Sequence, residues 1–187
     1  MTNEVFSAIL ERDIVGEAFF MKPGITRREL EVTDRNEILR ILDTCKIVHV
    51  AMVDDGMPYL VPLNYGYTLE DDQLVLYMHG SLKGRKIDVM RKNPNVFFEM
   101  NCEVTPFDGK VACQYGTSYS SIMGAGTVEI LDDVEAKKEG LTLFMKSQTG
   151  RDFEFTDKMV SAVHVMKITV EYFTAKHRPD PMAREKK

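Results

Sequence analysis

The sequence predicts a mainly β domain with peripheral helices, built as a small antiparallel barrel. Six or seven short apolar runs rich in β-branched residues recur at near-regular intervals, and turn residues separate them. Only two of the connections between these runs carry apolar residues at the three- and four-residue spacing of a helix. A parallel doubly wound sheet needs a helix at nearly every crossover, so the pattern favours antiparallel strands joined by turns.

The composition is that of a soluble globular domain. Of the 187 residues, 44% are hydrophobic and 28% are charged, and no apolar run approaches the roughly 18 residues that span a bilayer. A net charge of −5 argues against a nucleic-acid surface, which needs a basic face. The first residues lack the pattern of a secretory signal, and the three cysteines fit neither a disulfide framework nor a metal site. We expect a cytoplasmic protein without nucleic-acid or membrane partners.

Three regions are predicted along the chain. Residues 1–27 form a leader, in which apolar residues at helical spacing predict an amphipathic helix that ends before Pro23. Residues 28–176 form the folded domain, and residues 177–187 form a charged tail that we expect to be disordered.

The domain begins with a predicted helix over residues 35–44, because Asp34 and Glu37 form a capping box. Strands are predicted at residues 46–53, 57–69 and 73–78, and the acidic turns between them indicate a meander of three neighbours. Pro58 and Pro62 restrict the second strand to an edge or a bulge, since proline donates no ladder hydrogen bond.

The second half of the domain contains two predicted helices. A turn at residues 79–81 leads into the first, which begins at residues 83–86 and ends before Pro94, and the second runs from Asp133 to Gly150. Gly124 and Gly126 lie inside a predicted strand, where they indicate a bend or a close approach of two backbones. The other predicted segments are strands at residues 96–100, 111–114, 121–131 and 162–174, a loop at 105–110, and a flexible polar run at 116–119.

The start of the first of these helices is basic, with Lys83, Arg85 and Lys86 around Gly84. A helix N-terminus carries unpaired backbone N–H groups and the positive end of the helix dipole, which suits an anion such as a phosphate. First turns usually favour acidic residues, so the cations indicate a local purpose. A solvated basic turn explains the same residues equally well, and the segment alone leaves both interpretations open.

The sequence lacks the motifs of several common classes of catalytic and binding site. The sequence contains no GxSxG nucleophile elbow, no metal-ligand spacing of histidines, and neither the Rossmann nor the P-loop glycine pattern. His49 and His164 lie inside predicted strands, which favours structural roles. Residues 61–65 remain of interest, because a proline-interrupted strand leaves backbone groups unpaired and available to a planar heterocycle. Together with a phosphate at residues 83–86, this pattern would suit a phosphorylated flavin.

Several segments in order resemble the split-barrel flavoproteins related to pyridoxamine 5′-phosphate oxidase, and most closely the nitroimidazole-resistance (Nim) branch. The resemblance spans roughly residues 28–176, and no single motif carries it. It implies a six-stranded antiparallel split β-barrel that forms a homodimer, with FMN in clefts along the subunit interface. The similar segments are residues 54–59, 62–67, 76–80, 84–86 and 93–99, Cys113, and residues 119–126.

The resemblance also assigns residues to the cofactor. It implies that residues around Pro62 present their backbone to the flavin ring, that the basic helix start holds the phosphate, and that Tyr119 and its neighbours line the cleft, from the partner chain where needed. His79 would lie near the cofactor or substrate and is the candidate catalytic residue. The full cofactor set is Val61, Pro62, Leu63, Asn64, Tyr65, His79, Ser81, Lys83, Gly84, Arg85, Lys86, Tyr119, Ser120 and Ser121.

The function that this resemblance implies is an FMN-dependent reductase, with NADH or NADPH as electron donor and a small acceptor such as a nitroaromatic as substrate. A non-catalytic carrier or sensor of flavin or haem on the same barrel is the alternative, and an interaction module with an empty cleft is a third. The chain has no Trp, and residues 114–118 depart from the tryptophan-containing pattern of many relatives. The C-terminal residues do not resemble those of the oxidase itself, so vitamin B6 oxidation is not predicted.

Overall fold

The computed structural model describes residues 25–181, which contain eight strands and four α-helices. The predictions made for residues 1–24 lie outside the described part. The strands are β1 (Glu31–Val32), β2 (Ile47–Asp54), β3 (Met57–Asn64), β4 (Gly66–Glu70), β5 (Gln73–Ser81), β6 (Asn95–Phe107), β7 (Gly116–Leu131) and β8 (Val163–Arg178). The helices are α1 (Arg35–Thr44), α2 (Arg85–Lys92), α3 (Val134–Thr149) and α4 (Asp157–Val160), with 3₁₀ turns at Arg28–Leu30 and Ala112–Gln114.

The strands form one antiparallel sheet in the order β3-β2-β6-β7-β8-β5-β4, and the short β1 pairs with β8. The two end strands, β3 and β4, follow one another in the chain but do not pair, so the sheet curls into a barrel that stays open between them. The predicted mainly β fold with peripheral helices and a split barrel is confirmed. The strand number is eight rather than six.

The single strand predicted over residues 57–69 is wrong, because the chain divides there into β3 and β4. Tyr65 turns into the core, where its hydroxyl donates to the Leu42 carbonyl at 2.7 Å. Gly66 lies against helix α3, and a Cβ on it would come within 2.4 Å of the Phe144 Cα. These two contacts redirect the chain, so β3 pairs with β2 and β4 pairs with β5. The meander of three neighbouring strands therefore does not form.

Other boundaries differ because long strands recruit segments that look irregular in the sequence. Residues 79–81, predicted as a turn, continue β5 opposite residues 163–165 of β8. Residues 116–119, predicted to be flexible, belong to β7, and residues 105–107, predicted to start a loop, pair with them. Residues 111–114 contain a 3₁₀ turn instead of a strand. Strand β8 continues to Arg178, so residues 176–178 belong to the sheet instead of a disordered tail.

Several local predictions are confirmed. Helix α1 has the predicted bounds, and the Asp34 side chain accepts a hydrogen bond from the Glu37 N–H. Pro58 and Pro62 lie in an edge strand. The register of β7 and β8 shifts beside Gly126, where a Cβ would lie 2.2 Å from a β8 carbonyl oxygen.

The core fills the inside of the barrel, and helix α2 contributes Ile87, Val89 and Met90 to it. This burial places the start of α2 at the rim, next to the β2–β3 hairpin. No helix within residues 25–181 is long and apolar enough to cross a membrane.

Candidate functional site

The start of helix α2 is open to solvent. Its N-cap residue is Gly84, whose φ of +154° is rarely adopted by residues with a side chain. Among residues 25–181, no side chain caps the helix, and an added Cβ on Gly84 would meet only Ser81 Oγ within 4 Å, at 3.9 Å. Ser81 itself donates to the Lys83 carbonyl at 2.6 Å and so fixes the loop that precedes the helix. The Ile87 N–H donates to the Gly84 carbonyl at 3.0 Å, so the backbone N–H groups of Arg85 and Lys86 are the ones accessible to an anion.

The three cations predicted at this helix start are in different environments. Lys83 is exposed, and Lys86 is half-buried with its stem lying over Gly80 of β5. Neither lysine has a carboxylate within 4.0 Å among residues 25–181. Arg85 instead reaches the β2–β3 hairpin, where its Nε donates to Asp54 Oδ2 at 2.8 Å. The lysines are therefore the cations that lack an acidic partner here.

His79 lies on β5 next to Gly80, and its side chain points to the opposite face of the strand from Lys86. Its ring meets the Phe144 ring edge-on, with centroids 4.7 Å apart and an interplanar angle of 86°. Part of the ring is open to solvent, yet burial against its neighbours lowers the pKa of His79, and the positive charge of Lys86 lowers this pKa further. His79 is therefore mainly neutral at pH 7, where an imidazole both donates and accepts a hydrogen bond.

Strand β3, whose hairpin with β2 contacts Arg85, has one edge without a partner strand within residues 25–181. It pairs with β2 on one side and ends the sheet on the other, so alternate backbone groups of residues 61–64 have no ladder partner there. Val61 and Leu63 pack toward the core, whereas Pro62 and Asn64 point outward. The Asn64 amide donates to the Lys46 carbonyl at 3.0 Å, which fixes its orientation. The backbone edge suits the predicted contact with a planar ring.

Tyr65 is placed differently from the other residues of its segment. Its side chain is 1% exposed, and its hydroxyl contacts the Leu42 carbonyl and the Met100 sulfur. Burial raises the pKa of Tyr65, so the phenol stays neutral. A side chain packed in this way is not available to a ligand, and the Tyr65 carbonyl already accepts a hydrogen bond from Gln148 at 2.7 Å.

Ser120 is also enclosed. Its side chain is fully buried, and Ser120 Oγ lies 2.9 Å from both Glu103 Oε2 and His177 Nδ1. Arg40 donates to the same oxygen at 3.3 Å and to Glu103 at 2.6 Å. The buried hydroxyl of Ser120 therefore belongs to a polar cluster with Glu103, His177 and Arg40, which occupies this group and reaches the surface at Glu103.

Tyr119 and Ser121 point the other way and line a surface groove of about 540 Å³ over β6, β7 and β8. The Lys176 ammonium lies 5.5 Å from the centre of the Tyr119 ring at one wall of this groove. The groove has an aromatic surface and several hydrogen-bonding groups. Its other lining residues are Ile25, Thr26, Arg27, Glu99, Asn101, Met123 and Thr174.

Within a single chain, this groove and the start of α2 are far apart. Ser81 pairs with Val163 at the beginning of β8, whereas Ser121 pairs with Lys176 of the same strand. Thirteen residues separate these two positions on β8, which is roughly 43 Å of strand at about 3.3 Å per residue. The predicted site residues therefore fall into two groups in one chain.

An exposed sheet face connects β3 with the groove. In successive strands Pro62 lies opposite His49, His49 opposite Glu99, and Glu99 opposite Met123. His49 Nδ1 and Glu99 Oε2 are 3.2 Å apart at the middle of this face. Apolar side chains surround the pair, and patches of this kind mark interaction surfaces. The exposed apolar residues here are Ile47, Val53, Leu60, Phe97 and Met123.

Sequence reasoning missed two residues of the site, Asp54 and Tyr59. Asp54 looks like part of an acidic hairpin turn, and Tyr59 looks like an ordinary strand residue. The structure places both beside Arg85, whose guanidinium carbon lies 4.5 Å above the Tyr59 ring. The contacts span 31 residues of chain, and no local sequence signal marks them.

Comparisons with known proteins agree on one family. A family model described as pyridoxamine 5′-phosphate oxidase matches residues 34–177. The crystal structure of a candidate 5-nitroimidazole antibiotic resistance protein from Bacteroides thetaiotaomicron shares 31% identity with a TM-score of 0.68. That match covers 79% of this chain and 86% of the other.

More distant structures share the fold. The flavocytochrome Anf3 from Azotobacter vinelandii has a TM-score of 0.70 at 21% identity, with 87% of this chain and 76% of that chain covered. A FAD and heme binding protein from Mycobacterium smegmatis has a TM-score of 0.68 at 20% identity, with 83% and 78% covered. No curated protein sequence matches the chain. Because the family match and the nitroimidazole-resistance relative both span most of the split barrel, this chain belongs to the pyridoxamine 5′-phosphate oxidase family.

Proposed function

We propose that the chain is an FMN-binding reductase that takes electrons from NADH or NADPH and reduces a small acceptor. The observation that carries this proposal is the open start of α2. It combines accessible backbone N–H groups with two lysines that have no acidic partner among the described residues, beside the free edge of β3. The solved structures that share the fold of this chain include two proteins named for binding flavin.

The residues present fit a phosphorylated flavin. Lys83 and Lys86 would hold the phosphate with charge-assisted hydrogen bonds, and Gly84 leaves space for its close approach. The backbone edge at residues 61–64 would hold the polar rim of the ring. The flavin would supply the hydride and electron transfer chemistry, and the protein would bind, orient and shield it.

The proposed unit is a homodimer. The exposed sheet face carries apolar side chains around the pair of His49 and Glu99, and burial against a second copy would remove this apolar surface from water. A second copy would also supply the groove of Tyr119 and Ser121 to the α2 start of its partner. One barrel offers only a shallow surface, whereas cofactor sites bury most of their ligand.

The proposed acceptor is a nitroaromatic, because the relative at 31% identity is a candidate nitroimidazole resistance protein. His79 is the candidate side chain to act on it, since its ring is partly open to solvent and the next residue of β5, Gly80, lies under Lys86. A neutral His79 would orient an acceptor by a hydrogen bond or donate a proton from a ring nitrogen. A cytoplasmic location, where reduced nicotinamides are available, completes the proposal.

An absorbance spectrum of the purified protein tests the proposal. We expect the bands of a bound flavin, release of FMN on denaturation, and bleaching of the bands by NADH or NADPH in the absence of oxygen. Protein that is colourless and gains no flavin absorbance on mixing with FMN would contradict the cofactor. Tight binding of FMN without reduction by either nicotinamide would favour the carrier or sensor.

A further inference from the structure

A second cavity lies next to the groove of Tyr119 and Ser121, where strands β6 and β8 end. Its volume is about 560 Å³, which is within the range of small-molecule sites. Arg27 lines both the groove and this cavity. Arg178, the last residue of β8, lies on the same strand face as Lys176 of the groove, because side chains two residues apart point to the same side.

This cavity is positively charged, although the whole chain has a net charge of −5. Its cationic lining residues are Arg27, Lys110 and Arg178, and its acidic lining residue within the described part of the chain is Asp108. Arg27 is paired with Glu29 at 2.6 Å. Lys110 and Arg178 have no carboxylate within 4.0 Å among residues 25–181. An anion in the cavity would therefore meet two cations that no acidic side chain neutralises there.

The remaining walls of the cavity are mainly apolar. The apolar lining residues are Leu30, Phe107, Pro179 and Pro181. The Arg178 guanidinium carbon lies 5.3 Å from the centre of the Phe107 ring, which packs at the base of this wall with 8% of its surface exposed. Gly116 leaves room for this contact, because a Cβ there would lie 2.7 Å from both Arg178 Nη2 and Phe107 Cζ. A guanidinium placed over a ring still presents its forked N–H donors, which match a carboxylate.

The loop of residues 108–115 forms one wall and is held by polar contacts. Gly109 lies against Gln114, since an added Cβ would be 2.4 Å from Gln114 Cβ. The Lys110 N–H donates to Gln114 Oε1 at 2.9 Å, and the Gln114 N–H donates to the Val111 carbonyl at 2.9 Å. The loop is ordered in this way although its side chains are exposed, as is typical of segments that carry binding residues.

We propose that this cavity binds a small aromatic carboxylate, with its ring against Leu30 and the two prolines and its carboxylate on Arg178 and Lys110. A bare inorganic anion would leave the apolar wall without a contact, and a neutral aromatic molecule would leave the two cations without a partner. The inference goes beyond the proposed function, because the residues predicted to hold flavin do not line this cavity.

Calorimetric titrations of the full chain with benzoate test this inference, and benzamide and acetate are the matched ligands. Benzamide keeps the ring and lacks the charge, whereas acetate keeps the charge and lacks the ring. We expect benzoate to bind at least about tenfold more tightly than either, because each part of the ligand contributes on the order of one charge-assisted hydrogen bond or one buried ring.

Charge variants test which side chains the carboxylate meets. Arg178→Met and Lys110→Met should each weaken benzoate binding by about three- to tenfold, and Asp108→Asn should strengthen it, because the like charge is then removed. Lys110 and Asp108 are exposed, so their variants change the charge without a risk to the fold. Lys167→Met, near the opposite end of β8, is the matched control and should leave the affinity unchanged.

Cys113 reports where the ligand binds. It lines the cavity and is exposed, whereas Cys45 and Cys102 are buried. Alkylation of the native protein by iodoacetamide should therefore occur at Cys113, and benzoate should slow it with half-protection at the dissociation constant found by calorimetry. Benzoate that binds no better than benzamide or acetate, weaker binding in Asp108→Asn, or alkylation of Cys113 that benzoate does not slow would overturn the inference.

Discussion

Lys86 lies across Gly80 so closely that a Cβ on the glycine would be 2.8 Å from Lys86 Cε and 3.1 Å from its Nζ. Gly80 pairs with β8 in ordinary strand conformation, so backbone strain does not explain the glycine. The absence of a side chain instead leaves room for the lysine over this face of β5, opposite to the face on which His79 packs against Phe144. A glycine next to the end of β5 thus sets the position of the predicted phosphate ligand.

Gly80→Ala is expected to displace Lys86 without unfolding the protein. The added methyl meets the flexible end of a lysine, which moves at low cost, and alanine is no worse than glycine in a strand. The affinity for FMN should fall several-fold in a fluorescence titration, while the urea midpoint stays constant or rises. In a Lys86→Met background the same change should have no effect on FMN affinity. A further loss there would show that Gly80 acts by another route.

The ionisation of His79 should be linked to stability and to Lys86. Burial lowers the pKa of His79 in the folded protein, so in the window below about 6.5 the unfolded chain binds more protons. Above this pH, the ionisation of His79 therefore does not lower the free energy of unfolding. As pH falls through the folded pKa of His79, the free energy of unfolding decreases. Urea unfolding at several pH values should show wild type losing more stability toward pH 5 than His79→Gln.

An NMR titration of the histidines tests the same point directly. We expect a pKa below the ordinary value for His79, and a rise toward that value in Lys86→Met, because one positive neighbour is then absent. A His79 pKa that does not move in this variant would contradict the electrostatic link between the two residues.

Ser120 and Ser121 are adjacent in sequence but should respond differently to substitution. Ser120→Ala leaves Glu103, His177 and Arg40 without their shared hydroxyl, and should lower the free energy of unfolding by about 1–3 kcal/mol. Ser121→Ala removes a hydroxyl that makes no side-chain hydrogen bond within residues 25–181, and is expected to change stability little. Urea denaturation of both variants checks this difference. Equal effects would show that the enclosed cluster does not stabilise the fold.

The sheet face should control assembly. Phe97→Glu introduces a charge on the exposed apolar face, and we expect it to convert the proposed dimer to a monomer in light-scattering chromatography. FMN binding should weaken at the same time, because the two groups of site residues would then be on separate molecules. Met159→Glu, on the exposed side of α4, is the matched control and should keep the wild-type mass. A wild-type monomer that still binds FMN would contradict the shared site.

The sequence was informative where local chemistry decides structure. The capping box of Asp34 and Glu37 predicts helix α1, and the prolines predict an edge strand. It was misleading where distant contacts decide, as at Tyr65, whose burial against Leu42 and Met100 divides one predicted strand into two. No hydrophobic pattern within residues 57–69 contains that information.

In the candidate site too, local residue types were predictable from the sequence, whereas contacts between distant residues were not. The cations of residues 83–86 and the proline edge are predicted from residue types, and the structure brings Arg85 to the β2–β3 hairpin at Asp54 and Tyr59. That Arg85 is engaged by Asp54, and that Ser120 is enclosed while Ser121 lines a groove, depends on strand register and packing. A shift of one residue in register would exchange the two serines.

The most direct test of flavin binding at the start of α2 is a paired titration with FMN and riboflavin. The wild-type chain should bind FMN more tightly than riboflavin, because two lysines and the helix N-terminus hold the phosphate. Lys86→Met should lose about tenfold in FMN affinity, as expected for one charge-assisted hydrogen bond, and keep its affinity for riboflavin. Equal affinities of the wild type for both flavins, or a Lys86→Met variant that binds FMN as tightly as wild type, would contradict this account.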